Sequence, residues 1–158
     1  MGLRMAGDAA FVVQGGDLIN GPAGLDRLRD TCWSTDYQGM RLISIDAPQL
    51  HRVPESRAAI VKWLEPLLAH NPNRWTVLVL HFPLYSPEPQ RDNDRVRNAL
   101  NPLIDKYKVD LVLQGHDHGY GRGTIGPDGP GKPGKGATYV VAVAGAGRRR
   151  LSHASHRP

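Results

Sequence analysis

Five short apolar runs, each bounded by Gly, Asp, Asn or Pro, constrain what this chain can fold into. They are Phe11–Gln14, Met40–Ile45, Trp75–Leu80, Val109–Leu113 and Thr138–Val143, all rich in Val, Ile or Leu. Continuous apolar runs of this length read as strands buried on both faces, since a strand with one wet face alternates instead. Two longer stretches between them carry helical periodicity. Glu55–His70 places Ile60, Val61, Trp63, Leu64, Leu67 and Leu68 largely on one face; Asp92–Lys108 does so with Val96, Leu100, Leu103, Ile104 and Tyr107. Pro66 and Pro102 should kink or interrupt these helices. Strands alternating with helices predict an α/β layered fold. Gly121–Gly136, rich in Gly and Pro, reads as a long loop. Arg148–Pro158 has no periodicity and reads as a disordered basic tail, leaving one domain over residues 1–147. Trp33, Trp63 and Trp75 are expected in the core, and His51, His70, His153 and His156 on the surface.

Composition excludes some function classes. Cys32 is the single cysteine, so no intramolecular disulfide forms. No apolar run approaches the ~20 residues of a membrane span, and Met1–Ala10 lacks the apolar core of a signal peptide. As written, the chain is expected in the cytoplasm, although a longer parent could be exported. Lys and Arg exceed Asp and Glu by 20 to 15, for a net charge of +5 that includes the run Arg148, Arg149, Arg150. That excess is too modest for a nucleic-acid-binding protein and reads as a solvated surface.

The residues just beyond the strand ends carry the chemistry. Phe11–Gln14 runs into Gly16-Asp17 and Asn20, Trp75–Leu80 into His81-Phe82-Pro83-Leu84-Tyr85-Ser86, and Val109–Gln114 into Gly115-His116-Asp117-His118-Gly119-Tyr120. In open α/β sheets, ligands bind beyond the carboxyl ends of the strands, so positions far apart in sequence can converge. His116 and His118, two apart, can diverge towards two neighbouring metals. Imidazole suits Zn, Fe and Mn, and a carboxylate such as Asp17 can bridge two cations. Two cations ~4 Å apart can clamp a phosphoryl oxygen and bring the pKa of a bound water to about 7, which makes that water the nucleophile.

At these residues the chain resembles the calcineurin-like metallophosphoesterases, and within them the bacterial relatives of purple acid phosphatases. The resemblance rests on Gly16-Asp17, on His81-Phe82-Pro83-Leu84-Tyr85 and on Gly115-His116-Asp117-His118. The flanks Asp36–Asp46, Asn71–Val77 and Val109–Gln114 support it, and it spans roughly residues 10–145. It implies a sandwich of two sheets flanked by helices, and hydrolysis of phosphate mono- or diesters at a dinuclear site. It further implies that Asp17 bridges the metals, that His81 and His116 hold one, and that His118 holds the other. Asn20 stands where purple acid phosphatases carry an iron-binding tyrosine. Asn20, Tyr85 and Tyr120 are further candidates for the metal site or its pocket, with a turn or cap role for Asn20 and packing for the tyrosines as alternatives. The family's opening Asp-x-His motif is absent. So is its Gly-Asn-His segment, which would supply an asparagine ligand and a histidine assisting the leaving group. The expectation is therefore a shortened member, incomplete at the N-terminus and impaired in catalysis, with a non-catalytic metal-binding remnant as the alternative.

Overall fold

The structure, a computed structural model, describes Val13 and residues 28–130 and 136–142. In chain order the elements are α1 (Leu28–Thr31), β1 (Trp33–Tyr37), β2 (Met40–Ile45), α2 (Ala47–Arg52), α3 (Pro54–Ala69) and β3 (Trp75–Leu80). They continue with α4 (Asp94–Lys106), β4 (Leu111–Gln114), β5 (Gly121–Gly126), β6 (Gly129–Pro130) and β7 (Ala137–Val141). The expected α/β class is observed, and the described strands form one sheet in the order β1-β2-β3-β4-β7-β5-β6. Strands β2, β3, β4 and β7 run parallel at its centre, with antiparallel β1 at one side and β5 and β6 at the other.

Side chains alternate across the sheet, and each face of its centre has an apolar cluster. Ile43, Ile45, Leu78, Leu80 and Val112 pack with Ile60, Leu64 and Leu68 of α3 and Val96, Leu100 and Ile104 of α4. On the other face Leu42, Val77 and Val79 cluster with Met40, Leu111, Leu113 and Val13. Burial on both faces is why these strands read as continuous apolar runs. The expected strand at Phe11–Gln14 lies outside the described residues except for Val13, and the basic tail lies outside them altogether.

Three expectations are corrected. Gly121–Gly136 is not a long loop. Pro127 and Asp128 connect β5 to β6 in a tight hairpin, and β5 pairs along β7. Gly136 closes this region at φ +138, where an added Cβ would lie 2.3 Å from the Ile125 carbonyl oxygen. Second, neither proline interrupts its helix: Pro66 sits in the last turn of α3 and Pro102 inside α4. The carbonyl of Leu67, near the end of α3, accepts from Arg41 Nη1 at 2.8 Å. Third, Trp33 and Trp75 are 44% and 46% exposed, and only Trp63 packs against the core. Trp75 opens β3 with Arg74 stacked 4.7 Å over its ring.

Candidate functional site

The register of the parallel strands fixes which residues meet at the carboxyl edge of the sheet. Ile45 pairs with Leu80, Leu80 with Gln114, and Gln114 with Val141. The chain therefore leaves the sheet at Asp46, His81, Gly115 and Ala142 along one rim, where α/β folds build their sites. Pairing continues one step past the strands. Gly115 N–H donates to the His81 carbonyl at 3.1 Å, and Ala142 N–H to that of Gln114 at 3.2 Å. At the same rim Asp46 caps α2 by accepting from Gln49 N–H at 3.0 Å.

His116 sits at the centre of a three-residue turn. Its φ is +68, and Asp117 N–H donates back to the Gly115 carbonyl at 2.8 Å. This is the strained hand of the γ-turn, uncommon for a non-glycine residue. The turn brings His116 Nδ1 to 3.0 Å from His81 Nε2, with ring centroids 4.8 Å apart. With a proton on either facing nitrogen the contact is a hydrogen bond. With none, both facing nitrogens are potential ligands for a cation. The distance fits a metal: two nitrogens at ~2.0–2.1 Å from one tetrahedral zinc lie about 3.3 Å apart.

Aromatic and polar contacts hold the loop after β3. The buried Phe82 ring lies 5.5 Å from His81, 4.6 Å from His116 and 5.8 Å from His51. Leu84 N–H donates to Gln114 Oε1 at 2.6 Å, and Asn93 Nδ2 donates to the Pro83 carbonyl at 2.8 Å. Asn93 thus serves the loop although it stands at the N-cap of α4. Tyr85 stacks edge-on against Tyr139 at 4.8 Å and accepts from Asn101 Nδ2 at 2.6 Å, so packing accounts for its position. Tyr120 is 60% exposed, and His118 is exposed. Asp17 and Asn20 lie outside the described residues, among which no group of three or more His, Cys, Asp or Glu could hold a metal ion.

A cleft of about 610 Å³, lined by His51, Glu88, Gln90, Arg91, Asp92 and Asn93, borders this rim. Arg91 joins it to the histidine turn through an ion pair with Asp117, and His51 through its edge-on contact with Phe82. His51 is half-buried, not simply a surface residue, and its buried Nδ1 makes no hydrogen bond. Burial, then the nearby Arg95 and Arg52, push its pKa down. The sequence signal for its position is the helix start at Asp46-Ala47-Pro48, an acidic cap followed by proline.

The comparisons agree with this fold. The calcineurin-like phosphoesterase family model matches residues 39–120, just over half of the chain. Purple acid phosphatase PPD1 from yellow lupin (Lupinus luteus) seeds is structurally similar, with a TM-score of 0.57 at 23% identity, covering 78% of this chain and 24% of that one. GAP50, described as the anchor in the inner membrane complex of Plasmodium, matches with a TM-score of 0.52 at 18% identity, covering 70% and 35%. The chain thus spans about a quarter to a third of these solved structures, and at such identity they speak for the fold alone. No curated protein matches. No helix among the described residues is long and apolar enough to cross a membrane. With its strand-end histidines and three of the four parallel strands inside the matched span, the chain belongs to the calcineurin-like phosphoesterase family.

Proposed function

We propose that this chain hydrolyses phosphate mono- or diesters with metal ions held at the rim of the sheet. His81 and His116 would hold one ion together with Asp17, and His118 would serve a second one shared through Asp17. The observation that carries this reading is the 3.0 Å approach of His81 Nε2 and His116 Nδ1 from two different strand ends. Bound Zn, Mn or Fe would supply Lewis acidity towards the phosphoryl oxygens and towards water. Phe82 walls off one side of the two imidazoles, and its apolar ring keeps bulk water from that side. The polar cleft beside it, with Arg91 on its lining, offers room for the leaving group of the ester. Turnover should be low, because a leaving-group histidine contributes typically 10²–10⁴-fold and the Gly-Asn-His segment that would supply it is absent from the sequence.

The test is turnover of para-nitrophenyl phosphate and of its bis ester with added Zn, Mn or Fe, in the wild type and in His81→Ala, His116→Ala and His118→Ala. Metal-dependent turnover should fall about a hundredfold or more in the first two variants, and less in the third. Turnover unchanged by His81→Ala and His116→Ala would overturn the proposal. Metal binding without turnover would favour the non-catalytic remnant instead.

A further inference from the structure

The residue between His116 and His118 is not a passive spacer. Asp117 is 1% exposed, the most deeply buried acid among the described residues. A buried carboxylate is costly unless it is compensated, and two groups compensate this one. Ser86 Oγ donates to Asp117 Oδ2 at 2.5 Å, a short, charge-assisted bond. Arg91 Nε lies 2.5 Å from Oδ1. Its N–H is not aligned as a hydrogen bond, so charge holds this second contact. Both partners come from the chain downstream of His81: Ser86 closes the His81–Ser86 loop, and Arg91 lies five residues on. Asp117 therefore ties the histidine turn of one strand to the histidine loop of its neighbour.

The tie falls where the backbone needs it. His116 is held at φ +68 in a strained turn, and such conformations persist only where surrounding contacts over-determine them. The Asp117 N–H closes that turn onto Gly115, while its carboxylate is fixed by Ser86 and Arg91. Backbone and side chain of one residue thus hold the turn from both ends. We propose that Asp117 is a positioning residue, whose buried carboxylate, clamped by Ser86 and Arg91, holds the turn that aims His116 at His81. Its bearing on metal affinity rests on the function proposed above; the ring geometry does not.

The experiment reads geometry first and metal second. In the metal-free chain, nuclear Overhauser contacts between the His81 and His116 ring protons report the approach directly. They should be strong in the wild type and lost or much weakened in Asp117→Asn and Ser86→Ala. Zinc affinity should fall about 10–100-fold in the same variants, as for other groups that orient ligands. Arg91→Lys, which keeps the charge, should restore most of what Arg91→Ala loses. A role in stability alone would lower the unfolding temperature and leave ring contacts and zinc affinity of the folded chain unchanged, and that result would overturn the proposal. So would absence of the ring contacts from the wild type. Should Asp117→Asn fail to fold, Ser86→Ala, which deletes one hydroxyl, carries the test. A wild type with the ring contacts but no zinc affinity would refute the metal reading, while the variants still decide the role of Asp117.

Discussion

Replacing His81 or His116 by alanine should remove most of the zinc affinity of this chain, and replacing His118 should not. On the proposed function the two facing nitrogens, 3.0 Å apart, would be ligands of the same ion, so losing either would remove one ligand of that site. Protein sites of four ligands bind zinc with about 10–16 kcal/mol. Shared evenly, that is about 2.5–4 kcal/mol per ligand, or roughly 10²–10³-fold in affinity. His118 is exposed. Its loss should cost less than about tenfold at the tighter site. The assay is competition for zinc against a chromophoric chelator at one fixed pH, with exposed His70→Ala as control. Equal small losses in all four variants would refute the reasoning, because the His81–His116 approach would then be an ordinary hydrogen bond with no bearing on metal. Equal large losses at His81, His116 and His118 would also refute it, by placing all three on one ion.

Leu100 on α4 is fully buried against the sheet, so Leu100→Ala should cost about 2–5 kcal/mol in denaturant unfolding. Gly136→Ala forces a Cβ against Ile125 and Gly126 backbone at a φ that L residues avoid; the loss should be about 3 kcal/mol or more, with β5 and β7 losing amide protection first. His51 has its folded pKa below its ordinary 6.5, so the unfolded chain binds the proton more readily. Its contribution to stability is present above that value and is lost as the pH falls through it towards the folded pKa. His51→Gln should therefore flatten part of the decline in urea midpoint between about pH 7.5 and about pH 5, and an unchanged slope would show that the ring is not penalised for charging.

How legible an element was depended on which faces it buries. The expected runs Met40–Ile45 and Trp75–Leu80 are β2 and β3 to the residue, because both faces of each are covered. The run at Val109–Leu113 starts two residues early. Val109 and Asp110 precede β4, and Asp110 instead joins its neighbour, its carboxylate accepting from Thr76 N–H at 2.8 Å. Strand β1 had no apolar pattern to find, since Trp33–Tyr37 is exposed throughout. It forms through its neighbour, by a two-residue turn at Gln38 and Gly39, both at positive φ. The β5–β6 hairpin was hidden by the glycines and prolines that suggested a loop. Backbone pairing to β7 supplies what side chains there do not.

The site was legible as far as the strand ends and no further. Hydrophobic runs ending in His81 and in Gly115-His116 place both histidines at the same rim, and the parallel register makes them neighbours. Register alone, however, sets backbones side by side at roughly 4.8 Å; it does not make two rings face each other. That step needs the chain to reverse at His116, and a reversal at positive φ is paid for by contacts from elsewhere in the fold. The residues supplying them, Ser86 and Arg91, carry no metal-ligand chemistry and lie in and after a proline-rich loop, so nothing in their spacing marks them. Asp117 was visible only as the unspecified position between two histidines. On the role proposed for it, a small apolar residue there would leave the turn without the contacts from Ser86 and Arg91 and loosen the approach of the two imidazoles.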